Sequence, residues 1–298
     1  MPSFRTMVSF VFAFLLLPGI ALAGGAWVPA PGDGDLTLGF SQKTANRSWD
    51  SRGDTIIHTS NHDFRYAYLS GELGLVKRLS TTFLVTYLDG REGPPGDEEK
   101  NSGLSDAWFG LKYALRQDQW PMAIAATLRT PIFYDIKGPY SRHLFDANGN
   151  LLGNSPEWRG LLKTDLTLSY LVSHSIKDGE GWFNLEAGYT LREGAPADQI
   201  PVSGELGWPL PWRHTKVKVS AVYVQSLGND SPRKPDDRFG SRPGYNFNNA
   251  SMAKIGASFI FALDHDRKWS AEIGYNQWVW GKSARQYDEP FLAFGRRF

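Results

Sequence analysis

Charged residues recur at every second position along stretches of this chain that are otherwise apolar, and that spacing limits the chemistry they can do. Side chains two apart on an extended backbone point the same way. Over residues 182–193, Asn184, Glu186, Gly188, Thr190 and Arg192 therefore share one face, and Phe183, Leu185, Ala187, Tyr189 and Leu191 share the other. The same reading along the chain gives polar faces that carry Glu72, Asp106, Lys112, Arg129, Asp165, Glu186, Arg192, Glu205, Lys216, Lys218, Lys254 and Glu272, six acids and six bases. Charges facing one another in a narrow space must be paired or hydrated. One reading is a fixed network of ion pairs. The other is a hydrated passage with an acidic and a basic wall that orients a polar or zwitterionic solute. Both stay open, and the balance of signs argues against strong ion selectivity.

Other chemistries find less support. His58-Thr59-Ser60, followed by Asn61, puts a base and a nucleophile two apart on one strand face, as lipid hydrolysis on a barrel would need. The triplet is short and stands without the wider sequence seen around it in phospholipase barrels, so no catalytic residue is expected. The remaining histidines, His62, His143, His174, His214 and His265, are scattered. Asp146-Ala-Asn-Gly-Asn150 has oxygen ligands at alternate positions but lacks the distal glutamate of a calcium loop, so it reads as a turn. There is no phosphate loop, dinucleotide signature or zinc spacing, so no metal or cofactor is expected. A net charge of +1 gives no reason to expect nucleic acid.

The elements that carry these residues are strands. Alternation of apolar and polar residues runs through 35–45, 62–76, 80–88, 106–115, 120–131, 163–174, 182–193, 197–208, 214–226, 249–262, 268–280 and 288–298. A soluble sheet does not need a dozen such two-faced strands. A barrel in a bilayer does, because each strand needs a lipid face and a lumen face. The links after even strands read as short. Those after odd strands read mostly as long and polar, among them 46–61, 89–101, 132–157 and 227–248. That alternation fits short periplasmic turns and longer external loops. The expectation is an all-β, transmembrane antiparallel up-and-down β-barrel of about 12 strands, with ten or fourteen still compatible. The aromatic content of 14% suits interfacial girdles.

The start of the chain has a different character. Arg5, the apolar run 8–20 and Ala21-Leu22-Ala23 have the form of a cleaved signal peptide over residues 1–23. The barrel domain is then 24–298, with a net charge near zero and no cysteine, hence no disulfide. The chain ends in Phe298, a terminal aromatic of the kind the barrel-assembly machinery reads, on the same face as Phe294, Leu292 and an unusual Arg296. Within 132–157, Phe133, Tyr134, Tyr140 and Phe145 suggest either an inward-folded constriction or packing on the barrel rim.

Two stretches resemble a known group. Glu72-Leu-Gly-Leu-Val-Lys-Arg-Leu-Ser80 is similar to a strand–turn–strand motif of outer-membrane barrels of the meta-pathway phenol-degradation type. Gly103-Leu-Ser-Asp-Ala-Trp-Phe-Gly-Leu-Lys-Tyr113 resembles a strand of the same group, and Leu128-Arg-Thr-Pro131 its following strand end. The match covers residues 72–131. It implies an outer-membrane channel or uptake protein of a Gram-negative bacterium, with outer-membrane lipid and a small-molecule solute as partners. A hydrophobic or aromatic solute would follow from the same resemblance. A lipid-modifying hydrolase and a closed structural or adhesive scaffold remain as alternatives.

Overall fold

The computed structural model describes residues 25–93, 99–131, 164–193, 197–212, 214–228 and 250–298. Twelve strands follow one another: β1 (Gly34–Trp49), β2 (Thr55–Val76), β3 (Leu79–Gly93), β4 (Glu99–Arg116), β5 (Met122–Thr130), β6 (Asp165–Ile176), β7 (Gly181–Arg192), β8 (Gln199–Pro209), β9 (Thr215–Ser226), β10 (Ser251–Ala262), β11 (Trp269–Lys282) and β12 (Ala284–Arg297). Each pairs antiparallel with its chain neighbours, and β12 returns to β1 to close the barrel. Closure leaves no strand edge unpaired.

The barrel is inside-out relative to a soluble protein. Leu36, Leu38 and Phe40 of β1, Phe109, Leu111 and Tyr113 of β4, and Ile255, Phe259 and Phe261 of β10 are exposed. Lys112, Lys254 and Ser258, on the opposite faces of the same strands, are buried inside. At one end the links are tight. Lys77–Arg78 joins β2 to β3, with Arg78 at φ 71°. Exposed Trp120, Trp208, Trp212 and Trp269 collect at this turn end, as an interfacial aromatic belt would.

At the loop end the strands run further than the sequence indicates. The expected polar loops 46–61 and 89–101, and the link 281–287 between the last two expected strands, are largely laddered, as Arg47↔Ile57, Trp49↔Thr55, Arg91↔Lys100, Ser48↔Arg285 and Met252↔Gly281 show. The β1–β2 link shrinks to 50–54 and the β11–β12 link to Ser283, so the long/short alternation does not hold there. The physical reason is that strand pairing satisfies backbone groups whatever the side chains are. Beyond an apolar band the outward face need not be apolar, so the hydropathy signal stops before the strand does. One ladder also has a gap: Ala187↔Val202 is followed only by Thr190↔Gln199. Pro201 lies in the gap and has no N–H to donate.

The largest buried apolar cluster sits inside the loop end of the barrel. It is formed by Trp49, Phe64, Tyr66, Leu88, Val222, Val224, Met252, Trp278 and Tyr287 with small neighbours. The Trp278 and Tyr287 rings meet edge to face at 5.3 Å. Polar residues fill the middle of the lumen, and a segment of the chain itself enters from the turn end.

Candidate functional site in the barrel lumen

The segment that precedes β1 folds back into the barrel. Gly32 donates to the Gly74 carbonyl (2.9 Å), and Gly74 donates to that of Asp33 (2.9 Å), so the lead-in crosses the end of β2. A Cβ at Gly74 would lie 2.1 Å from the Ala30 carbonyl oxygen, so only glycine allows this approach. Further in, Ala26 N–H donates to Ser173 Oγ (2.7 Å) and Val28 N–H to Gln117 Oε1 (3.1 Å). The Gln117 amide donates back to the Ala26 carbonyl (2.9 Å). Lys112 Nζ donates to the Gly25 carbonyl (2.9 Å). Ala26 packs on Ala123 and Leu171 and is fully buried. Residues 25–28 thus occupy the turn end of the lumen.

Above this stopper the charged side chains meet in groups. Lys112 also donates to Glu72 Oε2 at 2.8 Å, and Ser80 donates to the other carboxylate oxygen. Both side chains of that pair are under 5% exposed, at 1% and 4%. Lys218 lies 2.6 Å from Glu272 and 3.8 Å from Glu205. Ser258 donates to Glu272 (2.7 Å), and the Trp182 indole donates to Glu205. Glu289 sits between Lys43 (3.6 Å) and Lys254 (3.8 Å). On the wall made by β4 to β7, Asp106 accepts from Arg129 Nε at 2.7 Å. Asp165 lies 4.0 Å from Arg129 and 3.5 Å from Arg192. The Arg129 guanidinium also stacks over the Trp108 ring at 5.0 Å, and the Lys216 ammonium lies 5.1 Å from the Trp182 ring centre. Glu186 is half-buried and has no ion-pair partner among the described residues.

The groups around Glu72, Lys218 and Glu289, but not those of the β4 to β7 wall, border a cavity of about 270 Å³. Its lining includes Gly25, Asp35, Glu72, Glu186, Glu205, Lys218, Lys254, Glu272 and Glu289, with Ser41, Tyr68, Ser203, Ser220 and Asn276 between them. Sequence alternation overlooked Asp35, Lys43 and Glu289. They lie in phase with inward residues of β1 and β12, so the same rule carried to the strand ends would have found them. The stopper left no such signal, because a Gly/Pro-rich stretch has no periodicity and its partners lie 89 and 147 residues away.

Other expectations fall elsewhere. His58 and Ser60 belong to β2, but their side chains lie outside the described residues, as do the 132–157 loop and Asp146–Asn150. Phe298 extends the β12–β1 ladder. Its N–H donates to the Gly34 carbonyl (3.0 Å), and the Gly34 N–H donates back (3.1 Å). Arg296 stacks over Trp269 at 5.0 Å, which gives this outward guanidinium a partner beside the interfacial belt.

No family model matches the chain, and no curated protein matches its sequence. Among solved structures the fold is similar to an outer membrane channel from Pseudomonas putida F1. The identity is 12%, the TM-score 0.62, and the match spans 93% of this chain and 99% of that one. It is also similar to the translocator domain of the autotransporter NalP from Neisseria meningitidis, at 9% identity and a TM-score of 0.51, over 91% of this chain and 90% of that one. The chain therefore shares its overall fold with both. One fold serving a channel and a translocator leaves function to be argued from the lumen.

Proposed function

We propose that the protein is a channel of the bacterial outer membrane that lets a small solute diffuse through the lumen, and that residues 25–28 close it in the state described. The observation that carries this reading is a polar cavity inside a closed barrel, sealed at one end by a segment held mainly through four hydrogen bonds. A typical hydrogen bond contributes only about 1 kcal/mol net. Such a seal is displaced far more readily than a strand of the wall. The apolar belt facing outward supports insertion in outer-membrane lipid, and Phe298 at the end of the closing strand is the recognition element for barrel assembly. The buried aromatic cluster at the loop end favours a solute with an apolar or aromatic body. The charged groups below it would orient polar atoms on that body.

The test is single-channel conductance of the mature protein in a planar bilayer, beside a variant lacking residues 24–29. The expected result is rare, brief openings for the full protein and long openings of larger conductance for the truncated one. Silence from both, with each shown folded by heat-dependent gel mobility, would sink the channel reading. The mutual pairing of most lumen charges would then favour the second reading, a closed scaffold that binds through its loop end.

A further inference from the structure

The turn end of the barrel carries a second arrangement of charges, on its outward face. Three acids there are held by local partners. Asp118 accepts from Arg116 and from the Trp120 N–H (3.2 Å). Asp264 accepts from the N–H groups of Lys268 (3.2 Å) and Trp269 (2.8 Å). Glu180 lies 3.8 Å from Arg267. Lys177, in the β6–β7 turn, and Arg296, near the end of β12, are exposed and have no acidic partner among the described residues.

Each of these two cations lies over an outward indole. Lys177 Nζ is 4.2 Å from the centre of the Trp208 ring, and the Arg296 guanidinium is 5.0 Å from that of Trp269. Both rings are exposed, and neither indole N–H has a hydrogen-bond partner among the described residues. Both pairs stand at the edge of the apolar belt. Leu206 comes next on the outward face of β8 below Trp208, and Phe294 and Leu292 come next on β12 below Arg296. Trp120 differs. Its partner is the His174 imidazole, stacked at 4.2 Å, and His174 Nδ1 donates to the Gln119 carbonyl (2.9 Å). Two places on the rim therefore combine a cation without an acidic partner, an indole donor at the same depth and an apolar wall below.

We infer that the Lys177–Trp208 and Arg296–Trp269 pairs are headgroup sites for an anionic phospholipid of the periplasmic leaflet. The phosphodiester accepts a charge-assisted hydrogen bond from the lysine or arginine and a second from the indole N–H. The acyl chains lie along the apolar belt. The indole face keeps a long basic side chain at interfacial depth, so less of its rotamer freedom is left to lose when the lipid binds. A cation near the lipid surface favours an anionic over a zwitterionic headgroup about fivefold, or ~1 kcal/mol. Free phosphate shares the headgroup chemistry but gains nothing from the belt, so the occupant is the lipid. The inference rests on the outer-membrane reading and not on passage of a solute.

The experiment is native mass spectrometry of the mature protein, released folded from detergent micelles after titration with phosphatidylglycerol or with phosphatidylcholine of the same acyl chains. The expected result is two phosphatidylglycerol molecules bound about fivefold more tightly than phosphatidylcholine. Lys177→Gln/Arg296→Gln should bring the two lipids to equal affinity. Lys77→Gln/Lys268→Gln removes as much charge from the same rim, at exposed lysines, and should keep the preference. Each variant is first shown folded by heat-dependent gel mobility. If Lys177→Gln/Arg296→Gln does not fold, Trp208→Phe/Trp269→Phe reads the same sites, because it removes the N–H donors and keeps aromatic rings, and it should roughly halve the preference. Equal binding of the two lipids by the wild-type protein would overturn the proposal. Equal losses in the two charge variants would overturn the assignment to Lys177 and Arg296. Displacement of phosphatidylglycerol by millimolar phosphate ion would overturn the lipid as occupant. Failure of the channel reading is separate, because it appears as absent conductance and leaves the lipid stoichiometry intact.

Discussion

Lys112 Nζ, on β4, donates to the carbonyl oxygen of Gly25 at 2.9 Å, so one ammonium joins the barrel wall to the segment that fills its mouth. The same nitrogen holds Glu72 at 2.8 Å. A side chain from the middle of the charge network is thereby part of the seal, and changes in one are felt in the other.

The seal should loosen before the barrel does. Gln117 sits in the β4–β5 turn and makes two hydrogen bonds to the stopper, with Ala26 and Val28. Gln117→Ala removes both, about 2 kcal/mol in all, or roughly a thirtyfold rise in the open population. Single-channel open probability should rise accordingly, with the heat-modifiable folded band unchanged. An unaltered open probability would mean that residues 25–28 are not the gate.

The buried Lys112–Glu72 pair should behave asymmetrically. Lys112→Met leaves a carboxylate with no counter-ion in a nearly dry site, at a cost of about 3–5 kcal/mol. Combining it with Glu72→Gln removes the stranded charge, and more than half of that loss should return. The midpoint of urea unfolding in detergent micelles measures both. Equal destabilisation by the single and double variants would show that the pair's charge is not what matters there.

Ion selectivity should follow the cavity, not the sequence-wide balance. Six acids line it but only two lysines, Lys218 and Lys254, with Lys43 and Lys112 meeting two of the acids from behind, so the open channel should prefer cations. The reversal potential in a potassium chloride gradient reads the preference directly. Asp35→Asn should lower the cation-to-anion ratio roughly twofold. An anion-selective wild-type channel contradicts this charge assignment.

The β1–β2 turn carries its own pH dependence. Asp50 Oδ1 accepts the backbone N–H groups of Asp54 (2.9 Å), Arg52 (2.8 Å) and Gly53 (2.8 Å). Those donors, that of Asp54 foremost, hold its carboxyl below the usual carboxylate range. A depressed folded value means the stabilisation is fully present above the unfolded value of about 3.9, and is lost as pH falls through the lower folded value. Carboxyl-carbon NMR should therefore show Asp50 titrating below the same residue in a turn peptide. Coincident titration curves would remove the role given to these three donors.

Much of this protein was readable in its residues, and the unreadable part has definite causes. The alternation in 182–193 fixed which residues of β7 face inward, and the pattern repeated across the chain fixed an even number of two-faced strands. This legibility comes from the pleat, whose period of two forces every strand of a membrane barrel to declare its faces. The extensions of β1, β2, β11 and β12 past the apolar band were not legible, because backbone pairing there is indifferent to side-chain hydropathy.

Which charges meet is a different kind of information. The sequence supplied Glu205, Lys218 and Glu272 as inward residues on three strands, but only the register of β8, β9, β10 and β11 brings one lysine between two acids. It supplied Gly25–Val28 as a glycine-rich lead-in, but only the closed barrel offers Ser173, Gln117 and Lys112 to receive it. Local order along a strand is set by neighbours one and two residues away, so the sequence determined the fold and the face of each side chain. Pairing across the lumen and the seating of the stopper depend on contacts tens to more than a hundred residues apart, and closure of the barrel alone decides those.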